Sequence, residues 1–486
     1  MNQDIRNLEP KNLWQNFYAL TQIPRPSKNE TRIRQFLEDF GKELGLETLV
    51  DKVGNVIIRK PATAGMENRK GIILQGHMDM VPQKNSDKDH DFAKDPIQTL
   101  IDGEWVRADG TTLGADNGIG VAAAMAILQA NDIAHGLIEV LITTDEETGM
   151  TGANGLKPGL LKGDILLNLD SEDEGELYVG CAGGMDANIE FDYKQEPVPS
   201  ASQSYKLAVT GLKGGHSGMD IVLGRGNANK LLFRFLKHAV SDHSLRLATI
   251  DGGGLRNAIP REAFAVVTVP WDKTAEFEKC LKHYEEIYKS ELSATEPNLS
   301  FTFQKTHLPE NVIDTETTQR LLHAVNACPN GVIRMSDAMP GLVETSTNLA
   351  SIKSGFDIVK IQCLMRSSVD TAKDDLAQAM ASVFELAKAK IEFTGGYPGW
   401  KPNPDSAILK TMQGVYKEMY GKIPEIKAIH AGLECGILGG AYPNWDMISF
   451  GPTIRYPHSP DEKVHIPSVG KFWDFLVQTL KNAPVK

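Results

Sequence analysis

Three apolar runs in the sequence each lead straight into imidazole or carboxylate side chains. Ile72-Ile73-Leu74 runs into Gln75-Gly76-His77-Met78-Asp79, the run 138–142 into Asp145-Glu146-Glu147, and the run 165–169 into Asp170. Runs of this kind read as buried strands of an α/β sheet, and open α/β sheets bind ligands beyond the carboxyl ends of their strands. The three ends are therefore expected to converge. Asp116, at the start of an Ala-rich stretch, and His458, in a Gly- and Pro-rich loop after the run 447–450, are further candidates. A donor set of imidazole and carboxylate without thiolate suits zinc, with Mn2+ or Co2+ as substitutes, in an open catalytic site. Five such side chains exceed the needs of one open ion. A carboxylate bridging two ions leaves each with two further ligands and room for water, so two Zn2+ is the expected count. Asp79, two residues past His77, is placed to accept the other ring N–H and fix its tautomer. Glu146, next to a ligand but spare, is the expected general base.

Each piece is weak alone. Asp-Glu-Glu often does no more than open a helix, and Leu113-Gly114-Ala115-Asp116-Asn117-Gly118 lacks the spacing of a phosphate cradle. The other histidines, His238 and His243 among them, sit in charged or helical surroundings that read as surface or satisfied-core positions, and His430 and His465 are undecided. Cys181 and Cys435 have no activating histidine beside them in sequence.

The elements that must position these groups follow from pattern. Ser27 and Glu30 form a capping box ahead of Ile33, Phe36, Leu37, Phe40 and Leu44, which share one helical face, and a buried helix is expected over 117–129. Strands alternating with helices argue for an α/β sheet covered on both faces. The composition changes after Gly183-Gly184. The stretch 195–203 is polar and Pro-rich, and beyond it come strands at 205–209, 264–269 and 358–365 with helices at 227–240, 274–291 and 373–391. Gly395-Gly396-Tyr397-Pro398-Gly399 marks the next break, after which the α/β pattern resumes at 405–420. The middle unit thus reads as an insertion, 187–396, into a split domain of 1–186 and 397–486.

At 486 residues the chain has room for two or three domains, and 41% hydrophobic with 23% charged residues is ordinary for a folded protein. A net charge of −12 with no basic stripe argues against nucleic acid. Five scattered cysteines without a C-x-x-C pattern suit reduced thiols in a cytosol. No apolar leader segment and no 18-residue apolar run occurs, so a cytoplasmic protein without membrane contact is expected.

Taken in order, His77-x-Asp79, Leu113 to Gly118, Thr144-Asp145-Glu146-Glu147, Asp170 and Pro457-His458-Ser459-Pro460-Asp461-Glu462 resemble the dinuclear zinc peptidase family that includes aminoacylase, carnosinase and carboxypeptidase G. The resemblance implies a three-layer α/β/α catalytic domain with a mixed sheet, interrupted by an inserted α+β lid domain. It implies one zinc on His77 and Asp170, the other on Glu147 and His458, with Asp116 bridging, and a cis peptide between Asp116 and Asn117. In the lid, Gly214-Gly215-His216-Ser217-Gly218 is similar to the family segment whose histidine covers the oxyanion. Asn257, Arg366 and Gly432 are implied substrate contacts, Arg366 as the grip on a free C-terminal carboxylate. The implied reaction is hydrolysis of small peptides. Deacylation of N-acyl amino acids and a non-catalytic metal-binding role are the competing readings. A homodimer is the expected assembly, with His216 acting within one chain or across it.

Overall fold

The computed structural model describes residues 4–486, so residues 1–3 of the polar N-terminal stretch lie outside it. The described chain forms two compact units: residues up to Gly180 with Pro402–Ala428 and Leu433–Lys486, and Cys181–Lys401 with Ile429–Gly432.

The first unit is built on an eight-stranded sheet. Its spatial order is Glu47–Val50, Val56–Lys60, Ile138–Thr143, Ile72–His77, Ile165–Asn168, Asp446–Ser449, Glu176–Cys181 and Glu425–Ile429. The central strands are parallel and the flanking pairs antiparallel, which makes the sheet mixed as expected. Ile72–His77 and Ile138–Thr143 are buried at every position, which is why they read as unbroken apolar runs rather than alternating ones. Helix Ala115–Gln129 is apolar almost all round and correspondingly buried. It packs against Lys11–Thr21, whose Leu13, Trp14, Phe17 and Leu20 line one buried face. Toward the other end of the sequence, Ala407–Tyr420 meets Ile466–Lys481 through Tyr416 and Phe475, ring centroids 5.1 Å apart.

The second unit carries an antiparallel sheet in the order Ser300–Thr306, Ser202–Thr210, Ala263–Pro270, Arg246–Gly253, Val343–Ser354, Ile358–Ser367, Gly183–Asp192 and Lys390–Tyr397. Ala228–His243, Thr274–Glu291, Thr315–Ala327 and Asp370–Leu386 supply its helices, and Phe233, Phe235, Phe277, Tyr288, Phe301 and Phe384 are fully buried in its core. This α+β unit begins and ends a few residues outside the expected 187–396 and takes in Ile429–Gly432 as well.

Three local expectations are corrected. Helix Thr31–Glu43 starts without a side-chain cap. The Ser27 hydroxyl instead donates to Asp79 Oδ2 at 2.8 Å, a stronger partner because it is ionised and buried. The helix expected to reach 391 stops at Leu386, because Lys388 turns left-handed (φ 57°) and Lys390–Tyr397 continues as a strand through the Gly395-Gly396 break. Within the polar stretch 195–203, Gln195–Pro197 pairs with Asn311–Ile313. Among the described residues no disulfide forms.

Phe235 meets Phe277, Tyr284 and Phe301 with centroids 5.7, 5.3 and 5.0 Å away. Phe235→Ala leaves a cavity at the centre of this cluster and is expected to destabilise the second unit by about 3–5 kcal/mol. Chemical denaturation followed by near-UV circular dichroism checks this; a midpoint equal to the parent's shows that the cluster carries no such load.

Candidate active site

The sheet register brings the strand ends side by side. His77 lies opposite Thr143 and Gln75 opposite Asn168, so the segments leaving these strands emerge together. Beneath them runs a buried polar floor. Glu434 Oε2 accepts from Gln75 Nε2 (2.6 Å) and Thr143 Oγ1 (2.8 Å), and Asn168 Nδ2 donates to Gln75 Oε1 (2.5 Å). Ser449 Oγ in turn donates to Asn168 Oδ1 (2.5 Å). Glu434 was not anticipated, because its partners lie far away in sequence.

His77 points Nε2 at Asp116 Oδ1 (3.1 Å) and Asp170 Oδ1 (3.4 Å), and Nδ1 at Asp79, 3.2 Å from the backbone oxygen and 3.4 Å from Oδ1. Asp79, fully buried, does more than face the ring. Its carboxylate accepts the backbone N–H groups of Glu146 (3.0 Å) and Glu147 (3.3 Å) besides the Ser27 hydroxyl, so it also fixes the turn that presents both glutamates. Burial works to raise its pKa, but the hydrogen bonds and the neighbouring His77 hold it at about 2. On the far side, His458 Nε2 lies 3.2 Å from Asp116 Oδ2 and 3.0 Å from Glu147 Oε2. The two oxygens of Asp116 thus face two separate imidazole–carboxylate pairs.

The loop presenting Asp116 is held from below. Glu462, 2% exposed, accepts the backbone N–H groups of Leu113 (2.7 Å), Gly114 (2.9 Å), Ala115 (2.7 Å) and Asp116 (3.2 Å). Buried Arg25 donates to the carbonyls of Met78, Asp79 and Gly114. Gly114 has φ +69°, and a Cβ there would stand 2.6 Å from Arg25 Nη2 and 2.8 Å from Met80 Sδ, so both conformation and space demand glycine. The peptide between Asp116 and Asn117 is cis, as expected. Arg25 and the anchoring role of Glu462 were not read from the sequence.

Electrostatically the cluster is frustrated. Burial, and then the charges of Asp170, Glu434 and Glu147, push Glu146 well up against the pull of His77; burial and Asp116 raise Asp170 similarly. Burial pushes Glu462 and Glu434 each to about 7 and Glu172, beside Asp116, to about 8. Asp116 is held far below the usual range despite its burial, by hydrogen bonds from His458 and His77. His458 is correspondingly raised to about 11 by Asp116 and Glu147, and His77, despite its burial, is raised by Asp170 and Asp116. Glu147 Oε1 and Asp170 Oδ1 are buried and accept no hydrogen bond. Buried acceptors without donors, around imidazoles facing carboxylates, are what divalent cations satisfy. Potential ligand atoms lie within 4.8 Å of one another in each of two groups, His77–Asp116–Asp170 and Asp116–Glu147–His458, sharing Asp116.

In the second unit, His216 Nδ1 accepts the backbone N–H groups of Gly218 (3.2 Å) and Met219 (3.1 Å). Burial and nearby Arg366 lower its pKa, so the ring is neutral, its proton is on Nε2, and that nitrogen is a donor. Arg366 is 5% exposed, with Nε 3.4 Å from Ser217 Oγ and Nη1 3.4 Å from Tyr397 Oη. No carboxylate among the described residues pairs with it. His430 joins this group, bonded to Ser346 Oγ at 2.7 Å, its pKa pushed down to about 3 by burial and Arg366. Gly432 lies against Tyr397, which a Cβ there would approach to 3.0 Å. Asn257 is exposed and meets the group only through its carbonyl, which accepts from the Ser217 N–H at 2.8 Å. His465 stacks near Trp105 in the first unit, away from both clusters' hydrogen bonds.

The chain matches the model of peptidase family M20/M25/M40 over residues 73–482. It is 48% identical over 483 residues to the cytosol non-specific dipeptidase of Escherichia coli strain K12, covering 99% of this chain and all of that protein. The structure of aminoacylhistidine dipeptidase from Vibrio alginolyticus superposes with a TM-score of 0.97 at 51% identity, covering 100% of this chain and 99% of the other. Aminopeptidase PepT from Bacillus cereus shares the fold at a TM-score of 0.58 and 16% identity, over 98% of this chain and 99% of the other. No described helix is long and apolar enough to cross a membrane. Strand-end histidine and carboxylates around a shared aspartate, inside a match that spans most of the sequence, lead to one conclusion: the chain belongs to peptidase family M20/M25/M40.

Proposed function

We propose that this peptidase is a dizinc dipeptidase that cleaves dipeptides with a free C-terminus, Xaa-His dipeptides such as carnosine foremost. The observation that carries the reading is Asp116, whose Oδ1 faces His77 and Asp170 while Oδ2 faces His458 and Glu147. His77 and Asp170 would hold one ion, Glu147 and His458 the other, with Asp116 bridging and Asp79 orienting His77. Two Zn2+ bound there, or Mn2+ or Co2+ in their place, would polarise the peptide carbonyl and acidify water.

The remaining chemistry belongs to the chain. Glu146, with its pKa raised by burial and neighbouring carboxylates, takes a proton from the attacking water as the carbon–oxygen bond forms. It hands that proton to the amine nitrogen as the carbon–nitrogen bond breaks. His216 donates from Nε2 to the carbonyl oxygen as negative charge develops there. Arg366, buried and without an acidic partner, grips the C-terminal carboxylate, with Asn257 and Gly432 as further substrate contacts. The dipeptidase names of the Escherichia coli and Vibrio alginolyticus relatives support the substrate class, the latter the C-terminal histidine, and the former the cytosol as location. A homodimer is part of the proposal.

Glu146→Gln is expected to keep both metals while turnover falls by about 10³-fold, because the amide preserves shape but cannot accept the proton. Metal analysis beside steady-state kinetics checks this, and a loss within tenfold removes Glu146 from the role of base.

The raised pKa values of His77 and His458 mean that both imidazoles carry protons near neutrality, and a metal must displace them. Metal affinity is therefore expected to rise with pH, by about tenfold per pH unit for each proton displaced. Titration calorimetry in buffers of different ionisation heat reads the released protons. Uptake without proton release excludes these histidines as ligands.

The metal-loaded enzyme is expected to hydrolyse an Xaa-His dipeptide and to leave an N-acetyl amino acid nearly untouched; the reverse preference identifies a deacylase. Amidating the dipeptide's C-terminus or making Arg366→Ala should each raise KM strongly, and the two together little more than either. Strictly additive losses show that Arg366 is not the carboxylate anchor.

A further inference from the structure

The helices Ala228–His243 and Thr274–Glu291 of the second unit bring His238, His243 and Cys280 together, with potential ligand atoms all within 4.8 Å of one another. In sequence these histidines read as surface or core residues without partners. In the fold His243 is neither exposed nor satisfied. It is 7% exposed, and neither ring nitrogen has a hydrogen-bond partner among the described residues. A neutral imidazole carries one donor and one acceptor, and buried groups of both kinds are as a rule paired.

The surroundings suit a ligand. Phe277 meets the His243 ring edge-on at 6.0 Å, and Tyr284 lies 5.4 Å from the His238 ring, so aromatic rings pack against both imidazoles. Burial and His238 keep His243 neutral, the form that binds metal. Asp242 Oδ2 lies 3.5 Å from His238 Nε2, where a carboxylate can orient that ring. Lys273, the nearby cation, is engaged with the Asp242 carbonyl (3.3 Å) and Ser244 Oγ (2.8 Å).

We propose that His238, His243 and Cys280 form a second metal site, which takes one ion of the zinc class through two imidazole nitrogens and a thiolate. On binding, the Cys280 thiol proton passes to solvent and the sulfur–metal bond forms in its place. Tetrahedral zinc with bonds of roughly 2.0–2.3 Å holds its donors about 3.5 Å apart, so the cluster must tighten. His238, 39% exposed at its side chain, is free to make that turn. The thiolate also separates this site chemically from the imidazole–carboxylate cluster of the first unit, since sulfur favours zinc and cobalt over manganese and magnesium. An ion there ties the C-terminal end of one helix to the body of the other.

Cobalt tests this without reference to catalysis. The ligands proposed for the active site include no thiolate, so a sulfur-to-cobalt charge-transfer band that disappears in Cys280→Ser reports on the second site. Metal-stripped full-length protein titrated with Co2+ is expected to develop that band, with the amplitude of one thiolate-bound ion per chain and saturating by three equivalents, the other two being those proposed for the active site. Cys280→Ser should abolish it, and His238→Ala, a half-exposed position that leaves the core intact, should weaken binding at least tenfold. Turnover of both zinc-loaded variants should stay within twofold of the parent. No band in the parent, an undiminished band in Cys280→Ser, or unchanged affinity in His238→Ala each overturns the site.

Discussion

More carboxylates are crowded into the first unit's largely buried cluster than its own cations can balance. Among the described residues, Asp79, Asp116, Glu146, Glu147, Asp170, Glu434 and Glu462 are set against the buried bases Arg25 and His77 and the half-exposed His458. An ionised carboxylate taken from water into a protein interior costs several kcal/mol unless it is paired. The chain divides the problem. Asp79 and Asp116, held by hydrogen bonds that outweigh their burial, stay charged, while burial drives Glu146, Asp170, Glu434 and Glu462 toward the protonated form. Divalent cations in the proposed site would resolve the remaining conflict, so that metal binding and the high proton affinity of Glu146 would have one origin.

Such a cluster would spread apart if the backbone allowed it. It is prevented by buried supports that hold the main chain around it. Glu462 gathers four successive N–H groups beneath the Asp116 loop, Arg25 ties that loop to the His77 segment through carbonyls, and Asp79 joins the histidine to the turn carrying Glu146 and Glu147. Most of their partners are backbone atoms, which substitution of neighbouring side chains leaves in place. Position is thus set by main chain, and chemistry by the few side chains it presents.

This split explains what could be read in advance. Ligand-capable groups announced themselves because fully buried parallel strands appear as apolar runs, and His77 and Asp170 stand where those runs end. The supports were silent. Glu462 stands nearly 350 residues from the loop it holds, and Glu434 further still from Gln75, so no local period or spacing links them. Ser27 misled for the opposite reason: its local pattern was that of a helix cap, but a buried ionised partner outbid the cap. His243 escaped because its helix is amphipathic in the ordinary way, and only the neighbouring helix reveals what its ring faces.

The strand Asp446–Ser449 lies inside the first unit's sheet, between Ile165–Asn168 and Glu176–Cys181, although the whole second unit is encoded between it and both neighbours. During synthesis the sheet therefore stands with a gap until the insertion has been translated, and His458 follows only after that. Of the proposed ligands, His77, Asp116, Glu147 and Asp170 are therefore made before the gap can close and His458 only after it. An unfinished chain thus has neither the closed sheet nor the full set of residues proposed for the centre.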